Sequence, residues 1–354
     1  MATLGSMRIL IPDIWVNRAY IHDLAASLRL LGHEVVVDSR AFWKGPVEHD
    51  ILLWLWPEGF FRHSLGGKLR LLTEHLKQDF FAQLQQWRKK GPVVGILHNW
   101  MPRYRKSTAG RHWIDLYHSL IRESHGIIHL GATSLEQWEK RYELTENVPQ
   151  TLLVSHGLNE QLKLYQERHS IVPSSHKNRP RIFVPGDLRT TNEVDMVLNC
   201  MKKLSSADVE WIVVGGETFA RRKQQNYWRL KKINQKKNSR CFQRRINDFE
   251  LLAEMLAADI VVSPRMRGLN SGIPFLAATF DKKVLMPQTG NLITQSTEVD
   301  GILFKPSVDG SDLSARLSSL LENPQHRDVS VQVPSWDKIG RAMASFMKTI
   351  SDAC

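Results

Sequence analysis

The stretch whose reading decides the fold is Pro264-Arg265-Met266-Arg267-Gly268-Leu269-Asn270-Ser271-Gly272-Ile273-Pro274-Phe275-Leu276-Ala277-Ala278. Directly before it, Asp259-Ile260-Val261-Val262-Ser263 is a short apolar run, the pattern of a strand buried in a parallel sheet. After it, an alanine-rich apolar segment reads as a helix. Ser271 and Gly272 therefore stand where a strand hands over to a helix. Such a junction gathers backbone N–H groups at the positive end of the helix dipole, which together bind phosphate. Gly272 permits close backbone approach, and Ser271 adds a hydroxyl donor. An ordinary N-cap serine followed by a glycine has the same sequence, so the rest of the chain has to decide.

Outward from this stretch, strand and helix patterns alternate. Pro180 to Val184, Glu210 to Val214, Lys283 to Met286 and Gly301 to Phe304 read as further strands. Helical spacing covers Glu193 to Leu204, Phe249 to Ala258, Leu313 to Leu321 and Pro334 to Ile350. The first half repeats the pattern. Its strands are Met7 to Ile11, Glu34 to Asp38, Asp50 to Leu55, Pro92 to Leu97, Gly126 to Leu130 and Gln150 to Val154. Helices are expected at Ala19 to Leu31, Leu69 to Lys90 and Trp113 to Ser124. Alternation of this kind predicts α/β architecture with parallel, doubly wound sheets. The polar stretch 166–179 reads as a linker between a 7–165 domain and a 180–333 domain, with 334–354 as a final helix. Two Rossmann-like domains imply a central cleft facing the carboxyl ends of their strands, where open α/β sheets bind ligands.

The bulk composition fits this. The chain has 354 residues, 42% hydrophobic and 24% charged. No apolar run reaches the roughly 20 residues that span a bilayer. Met1 to Ser6 reads as an appended leader before a native start at Met7, with no signal peptide, so the expected location is cytoplasmic. Cys200, Cys241 and Cys354 lack metal-ligand or redox spacing, and an acidic DxD-like pair at a strand end is absent, so no metal and no cofactor are expected. The net charge of +12 favours anionic partners. Eleven cations crowd Arg221 to Arg245 with no acidic residue between them, and Tyr227 and Trp228 lie inside the run. That pattern fits an anionic membrane surface with aromatic insertion, although a solvated helix face also produces it. No RNA-binding motif accompanies the run, and nucleic acid is not an expected partner.

The motifs, taken in order, resemble GT-B glycosyltransferases, in particular the bacterial family-4-like enzymes of surface polysaccharide and glycolipid assembly. Gly32-His33-Glu34-Val35 resembles the entry to the second strand of that fold. Trp56-Pro57-Glu58 resembles an HWPE signature, with Leu55 in place of the histidine. His98-Asn99 resembles its HN motif, Val154-Ser155-His156-Gly157 its PHG end, Gly186-Asp187-Leu188-Arg189 its GxIR loop and Asn270-Ser271-Gly272 its SG phosphate loop. Ser335-Trp336-Asp337 resembles the final helix, which in GT-B proteins crosses back to the N-domain. The resemblance implies transfer of a sugar from a nucleotide diphosphate sugar, UDP- or GDP-linked, held by the second domain. The acceptor, a saccharide or a polyprenyl-diphosphate-linked one, belongs to the first domain, and the protein is expected to sit peripherally on the inner face of the membrane. Family members usually carry a lysine three residues after the arginine, where this chain has Asn192. Many also carry a glutamate pair absent here, so stereochemistry does not carry over. These departures also suit a catalytically idle relative with a binding or scaffolding role.

Candidate site residues follow from position and chemistry. A leaving diphosphate develops negative charge that preorganised donors must meet. The donor-side set is Gly186, Arg189, Asn192, Gly215, Arg265, Asn270, Ser271 and Gly272, with Arg189 the leading cation and Arg265 or Arg267 supplying the charge missing at Asn192. An inverting transfer needs a base for the acceptor hydroxyl. Glu58, His98 and Asp13, in that order, stand at strand ends; a helix-start carboxylate, a structural hydrogen-bonding histidine and a loop cap are their plain alternatives. On the acceptor side are Trp15, Asn17, Trp56 and Asn99, with Trp100 a further indole for sugar stacking. His156 is expected to shape a pocket or hinge.

Overall fold

The computed structural model describes residues 5–13, 19–46, 50–61, 72–100, 108–142, 148–175, 179–186, 188–205, 207–215, 224–323 and 328–354. The chain divides into two compact units, Met1–Gly157 with Pro334–Cys354, and Leu158–Val333.

The first unit holds strands β1 (Arg8–Ile11), β2 (Glu34–Val37), β3 (Ile51–Trp54), β4 (Val93–Leu97), β5 (Gly126–His129) and β6 (Gln150–Leu153). They form one parallel sheet in the order β2-β1-β3-β4-β5-β6. Its helices are α1 (Ala19–Leu30), α2 (Ser39–Lys44), α3 (Glu74–Arg88), α4 (Thr108–Glu123) and α5 (Ala132–Tyr142), with a 3-10 turn at Pro57–Phe61. β3, β4 and β5 are buried along their whole length, which is why their sequences are unbroken apolar runs.

The second unit begins with α6 (Glu160–Arg168) and holds β7 (Arg181–Val184), β8 (Glu210–Val214), β9 (Ser239–Phe242), β10 (Ile260–Val262), β11 (Lys283–Pro287) and β12 (Ile302–Phe304). These strands are also all parallel, in the order β12-β11-β10-β7-β8-β9. Between them run α7 (Thr191–Lys203), α8 (Gln224–Asn234), α9 (Asp248–Ala257), α10 (Ile273–Thr279), α11 (Leu292–Gln295) and α12 (Ser311–Glu322). The start of α9 is fixed by a full capping box, in which the Asn247 side chain accepts from Glu250 N–H and Glu250 accepts from Asn247 N–H. The first-turn carboxylates Asp248 and Glu250 thus serve the helix start.

Strand order reverses between β1 and β3 in the first sheet and between β7 and β10 in the second. In open α/β sheets, ligands bind outside the carboxyl ends of strands at such switch points. Asp13 and Glu58 follow β1 and β3. Gly186 to Arg189 follows β7, and Arg265 to Gly272 follows β10.

The last helix, α13 (Trp336–Ala353), belongs to the first unit. Trp336, Ile339, Met343, Met347 and Ile350 recur at helical spacing and join the core made by Ile9, Leu24, Leu28, Leu53 and Ile128. Each such side chain, fully buried, contributes roughly 1.5–3 kcal/mol. Ser27 Oγ of α1 donates to the Trp336 carbonyl oxygen at 2.6 Å, tying the helix entrance to α1.

Some elements lie where no hydrophobic pattern announces them. α6 runs into the polar 166–179 stretch, which therefore continues the second unit; no α6 residue is fully buried, so no apolar stripe announces it. β9 lies inside the basic run. It is an edge strand whose Cys241 and Phe242 are buried while Arg240 is exposed, so its four residues lack an apolar run.

Candidate functional site

In the first unit, the carboxyl edge of the sheet gathers rings around Tyr20 of α1. His98, one residue past β4, stacks on Trp56 with centroids 4.1 Å apart and an interplanar angle of 20°. Tyr20 meets His98 edge-on at 5.1 Å, His156 at 4.7 Å and Trp336 at 5.5 Å. Burial lowers His156 to about 4, so its imidazole is neutral near pH 7, and its Nδ1 lies 3.1 Å from the Gly157 carbonyl oxygen. Burial, together with the nearby Asp23 charge, pushes the Tyr20 phenol up. His156 is thus built into the aromatic cluster that receives α13.

Two carboxylates, Asp13 and Glu58, follow β1 and β3 in the same sheet. Asp13 is buried, its N–H donating to the Ile11 carbonyl oxygen at 2.8 Å. The 57–61 turn lies against it: a Cβ placed on Gly59 would come within 3.1 Å of the Asp13 carboxyl. Glu58 in that turn is half-buried and accepts a hydrogen bond from Tyr117 Oη at 2.7 Å. Asn99 is half-buried next to His98. Trp15 and Asn17 lie outside the described residues. Trp100 is engaged within the protein: its Nε1 donates to Gln137 Oε1 at 2.7 Å and the Arg141 guanidinium lies 4.6 Å above its ring. Tyr117 was not singled out from sequence, although the spacing Trp113, Leu116, Tyr117, Leu120, Ile121 marks it as part of the buried stripe of α4. His129 is another unflagged residue. It closes β5, is fully buried, and burial lowers it to about 4.

In the second unit, the switch point between β7 and β10 brings together residues far apart in sequence. The turn after β7 uses Gly186 at φ +80, a region that favours glycine. Arg189 is exposed, and its backbone N–H donates to Glu193 Oε2 at 2.6 Å. Arg265 is 6% exposed, with Nη1 3.4 Å from the same Glu193 oxygen. A Cβ at Gly186 would lie 3.2 Å from Arg265 Nη2, so the guanidinium lies along the glycine turn. Asn192 is exposed in the first turn of α7, and Arg267 is exposed in the loop after β10.

The loop ahead of α10 is braced from the cap of α11. Asn291, fully buried, donates from its backbone N–H to the Leu269 carbonyl oxygen at 2.8 Å and from Nδ2 to Asn270 Oδ1 at 2.9 Å. Ser271 Oγ accepts the Ile273 N–H at 3.4 Å, and Pro274 has no N–H, so neither of those positions offers a donor to a ligand. Gly272, at the helix cap, is exposed. Gly215 has a different neighbourhood from the nucleotide approach expected of it: a Cβ there would meet Leu230 at 2.8 Å and Cys241 Sγ at 3.1 Å. The packing of α8 against β9 accounts for that glycine. Buried Cys200 and Cys241 have thiols pushed up to about 12 by burial, which makes them poor nucleophiles.

The basic run is partly neutralised within the fold. Arg229 pairs with Asp195 at 3.2 Å, Arg244 with Glu250, and the Arg240 guanidinium lies 4.2 Å over Phe242. Lys231 and Lys232 of α8 are exposed, as are Tyr227 (43%) and Trp228 (50%), and Lys231 Nζ sits 4.8 Å over the Trp228 ring. Among the described residues no helix is long and apolar enough to cross a membrane.

No protein-family model matches the chain, and no curated protein matches it. Solved structures do. Sucrose-phosphate synthase from Thermosynechococcus elongatus is similar over 98% of this chain and 96% of that one, at TM-score 0.62 and 13% identity. HepE of Anabaena, solved in complex with UDP-glucose, is similar over 98% of both chains, at TM-score 0.55 and 15% identity. A UDP-forming trehalose-phosphate synthase from Burkholderia xenovorans, solved with glucose-6-phosphate, is similar over 94% of this chain and 76% of that one, at TM-score 0.55 and 11% identity. At these identities the likeness is one of fold: two Rossmann-like units, each on a six-stranded parallel sheet, give this chain the GT-B fold.

Proposed function

We propose that the chain is a glycosyltransferase that moves a sugar from a nucleoside diphosphate sugar, UDP- or GDP-linked, to a saccharide acceptor. The observation that carries this reading lies at the second switch point: Arg265 is laid along the Gly186 turn, Glu193 joins it to the Arg189 backbone, and the Ile273 side chain at the head of α10 would lie 3.2 Å from a Cβ at Gly186. Arg265 and Arg189 meet the charge that grows on the departing diphosphate, with planar guanidinium forks suited to phosphate oxygens. No metal is assigned a part in this reading. The neighbours solved with UDP-glucose and with glucose-6-phosphate support the two substrate classes.

On the acceptor side Glu58 is the base of choice. Tyr117 fixes its Oε2, so Oε1 takes the proton from the acceptor hydroxyl, while Trp56 beside it offers a ring face to the sugar. Asp13 and His98 are more deeply buried and serve as its alternatives. The acceptor is lipid-linked, through a polyprenyl diphosphate, in surface polysaccharide or glycolipid assembly, and the exposed Trp228, Lys231 and Lys232 face of α8 holds the protein on the anionic inner face of the membrane.

The test is a binding screen of UDP, GDP, dTDP, ADP and CMP with their sugars. A ligand of the folded state raises the melting temperature by mass action. One nucleoside diphosphate shifting it, followed by sugar transfer from the matching donor, is the expected result. Absence of any shift turns the reading towards an idle scaffold, which Asn192 in the lysine position already favours.

A further inference from the structure

The structure assigns Glu193 as the positioning residue of the diphosphate-binding arginines, an inference that rests on the donor site proposed above. Glu193 occupies the third position of α7, where a glutamate ordinarily reaches back to the N–H of the capping residue. Glu250 does this at the head of α9, accepting from Asn247 N–H at 3.1 Å. In α7 the cap Thr190 accepts from Glu193 N–H at 3.2 Å, but the glutamate side chain goes elsewhere. Its Oε2 takes the Arg189 N–H at 2.6 Å and lies 3.4 Å from Arg265 Nη1. One carboxylate oxygen thus joins the loop after β7 to the loop after β10, across the switch point.

Both partners are deeply buried, Glu193 at 3% exposure and Arg265 at 6%. A buried carboxylate beside a diphosphate site is electrostatically unfavourable for the ligand, because it repels the same charge that the arginine attracts. Its presence is explained by order. It fixes the Arg265 fork against the Gly186 turn and holds the Arg189 backbone, so neither has to be arranged when the ligand arrives. Charge and position therefore make opposite demands on this residue, and substitution separates them.

Glu193→Gln keeps the reach and removes the charge. Glu193→Asp keeps the charge and withdraws the oxygen by one methylene. Binding of UDP, GDP and inorganic pyrophosphate is measured by calorimetry on the folded proteins, well below their melting temperatures. With Glu193 as a positioning residue, Glu193→Asp binds the wild-type ligand about tenfold more weakly, while Glu193→Gln stays within about threefold or binds more tightly. In Arg265→Ala, adding Glu193→Asp costs clearly less than the roughly tenfold it costs in the wild type, because only the Arg189 backbone is left for Glu193 to hold. A Glu193→Asp protein that binds as tightly as wild type, or losses that simply add, overturns the assignment and leaves the donor site standing. A wild type that binds none of the three probes overturns the donor site and this inference together.

Discussion

At the scale of single residues, the two arginines of the proposed donor side separate affinity from stability. Arg189 is exposed, so Arg189→Ala should weaken nucleoside diphosphate binding by at least about tenfold while leaving the melting temperature within a degree or so. Arg265 is buried against Glu193, so Arg265→Ala should weaken binding and also strand a buried carboxylate, at a cost of about 3–5 kcal/mol in unfolding free energy. Calorimetric binding beside denaturant titration reads both; equal stability losses would refute the distinction. On the proposed acceptor side, Glu58→Gln should preserve donor binding and lower turnover by roughly a hundredfold or more. Tyr117→Phe should lower turnover less, through loss of the hydrogen bond that orients the carboxylate. Turnover unchanged in Glu58→Gln would remove it from the base role. Gly186, Arg189, Arg265 and Asn270 could be nominated from sequence because strand ends are legible, and open α/β sheets bind ligands outside them. Glu193, Tyr117 and Asn291 could not. Their partners lie 72, 59 and 21 residues away, and only the folded sheet brings them together.

At the scale of elements, the strands buried on both faces announced themselves as unbroken apolar runs, and their positions differ from expectation by a residue or two at the ends. β9, α2, α5 and α6 did not. They are short or surface-lying, and their apolar residues are too few to show a period. Helix α8 carries the prediction that belongs to this scale. Leu230 and Ile233 bury one face of it, while Trp228, Lys231 and Lys232 share the other at i, i+3 and i+4. Its approach to an anionic bilayer should therefore depend on this face and not on the cations already paired with Asp195 and Glu250. Flotation with phosphatidylglycerol vesicles should recover the wild type at low salt. Lys231→Glu with Lys232→Glu should stay with the soluble fraction, and Arg244→Gln should float like wild type. Equal flotation of all three would remove α8 from the membrane contact.

At the scale of the whole molecule, acid acts unequally on the two units. His129 and His156, both in the first unit, are lowered by burial from the usual 6.5 to about 4. The unfolded chain takes up protons near 6.5 and the folded one does not until about 4, so the stability these groups leave intact above pH 6.5 is lost as pH falls through that window. The loss is on the order of 3 kcal/mol for each. Of 11 tryptophans, only Trp211 and Trp228 fall in the second unit, so indole fluorescence follows the first. Fluorescence-detected melting should drop between pH 6.5 and 4 ahead of the melting detected by total helix content. Coincident transitions throughout would contradict this.

The membership of α13 in the first unit has a consequence for biosynthesis. Leu158–Val333 is one continuous stretch, whereas the first unit is interrupted and waits for Pro334 onwards. While the chain is being translated, the second unit can finish before the first, whose α1 face stays uncovered until Trp336, Met343 and Met347 emerge to close it. A nascent chain at that stage presents a greasy strip that invites chaperones. A premature stop codon after Val333 would yield a product with a sound second half and an open first half, fit for degradation rather than for work.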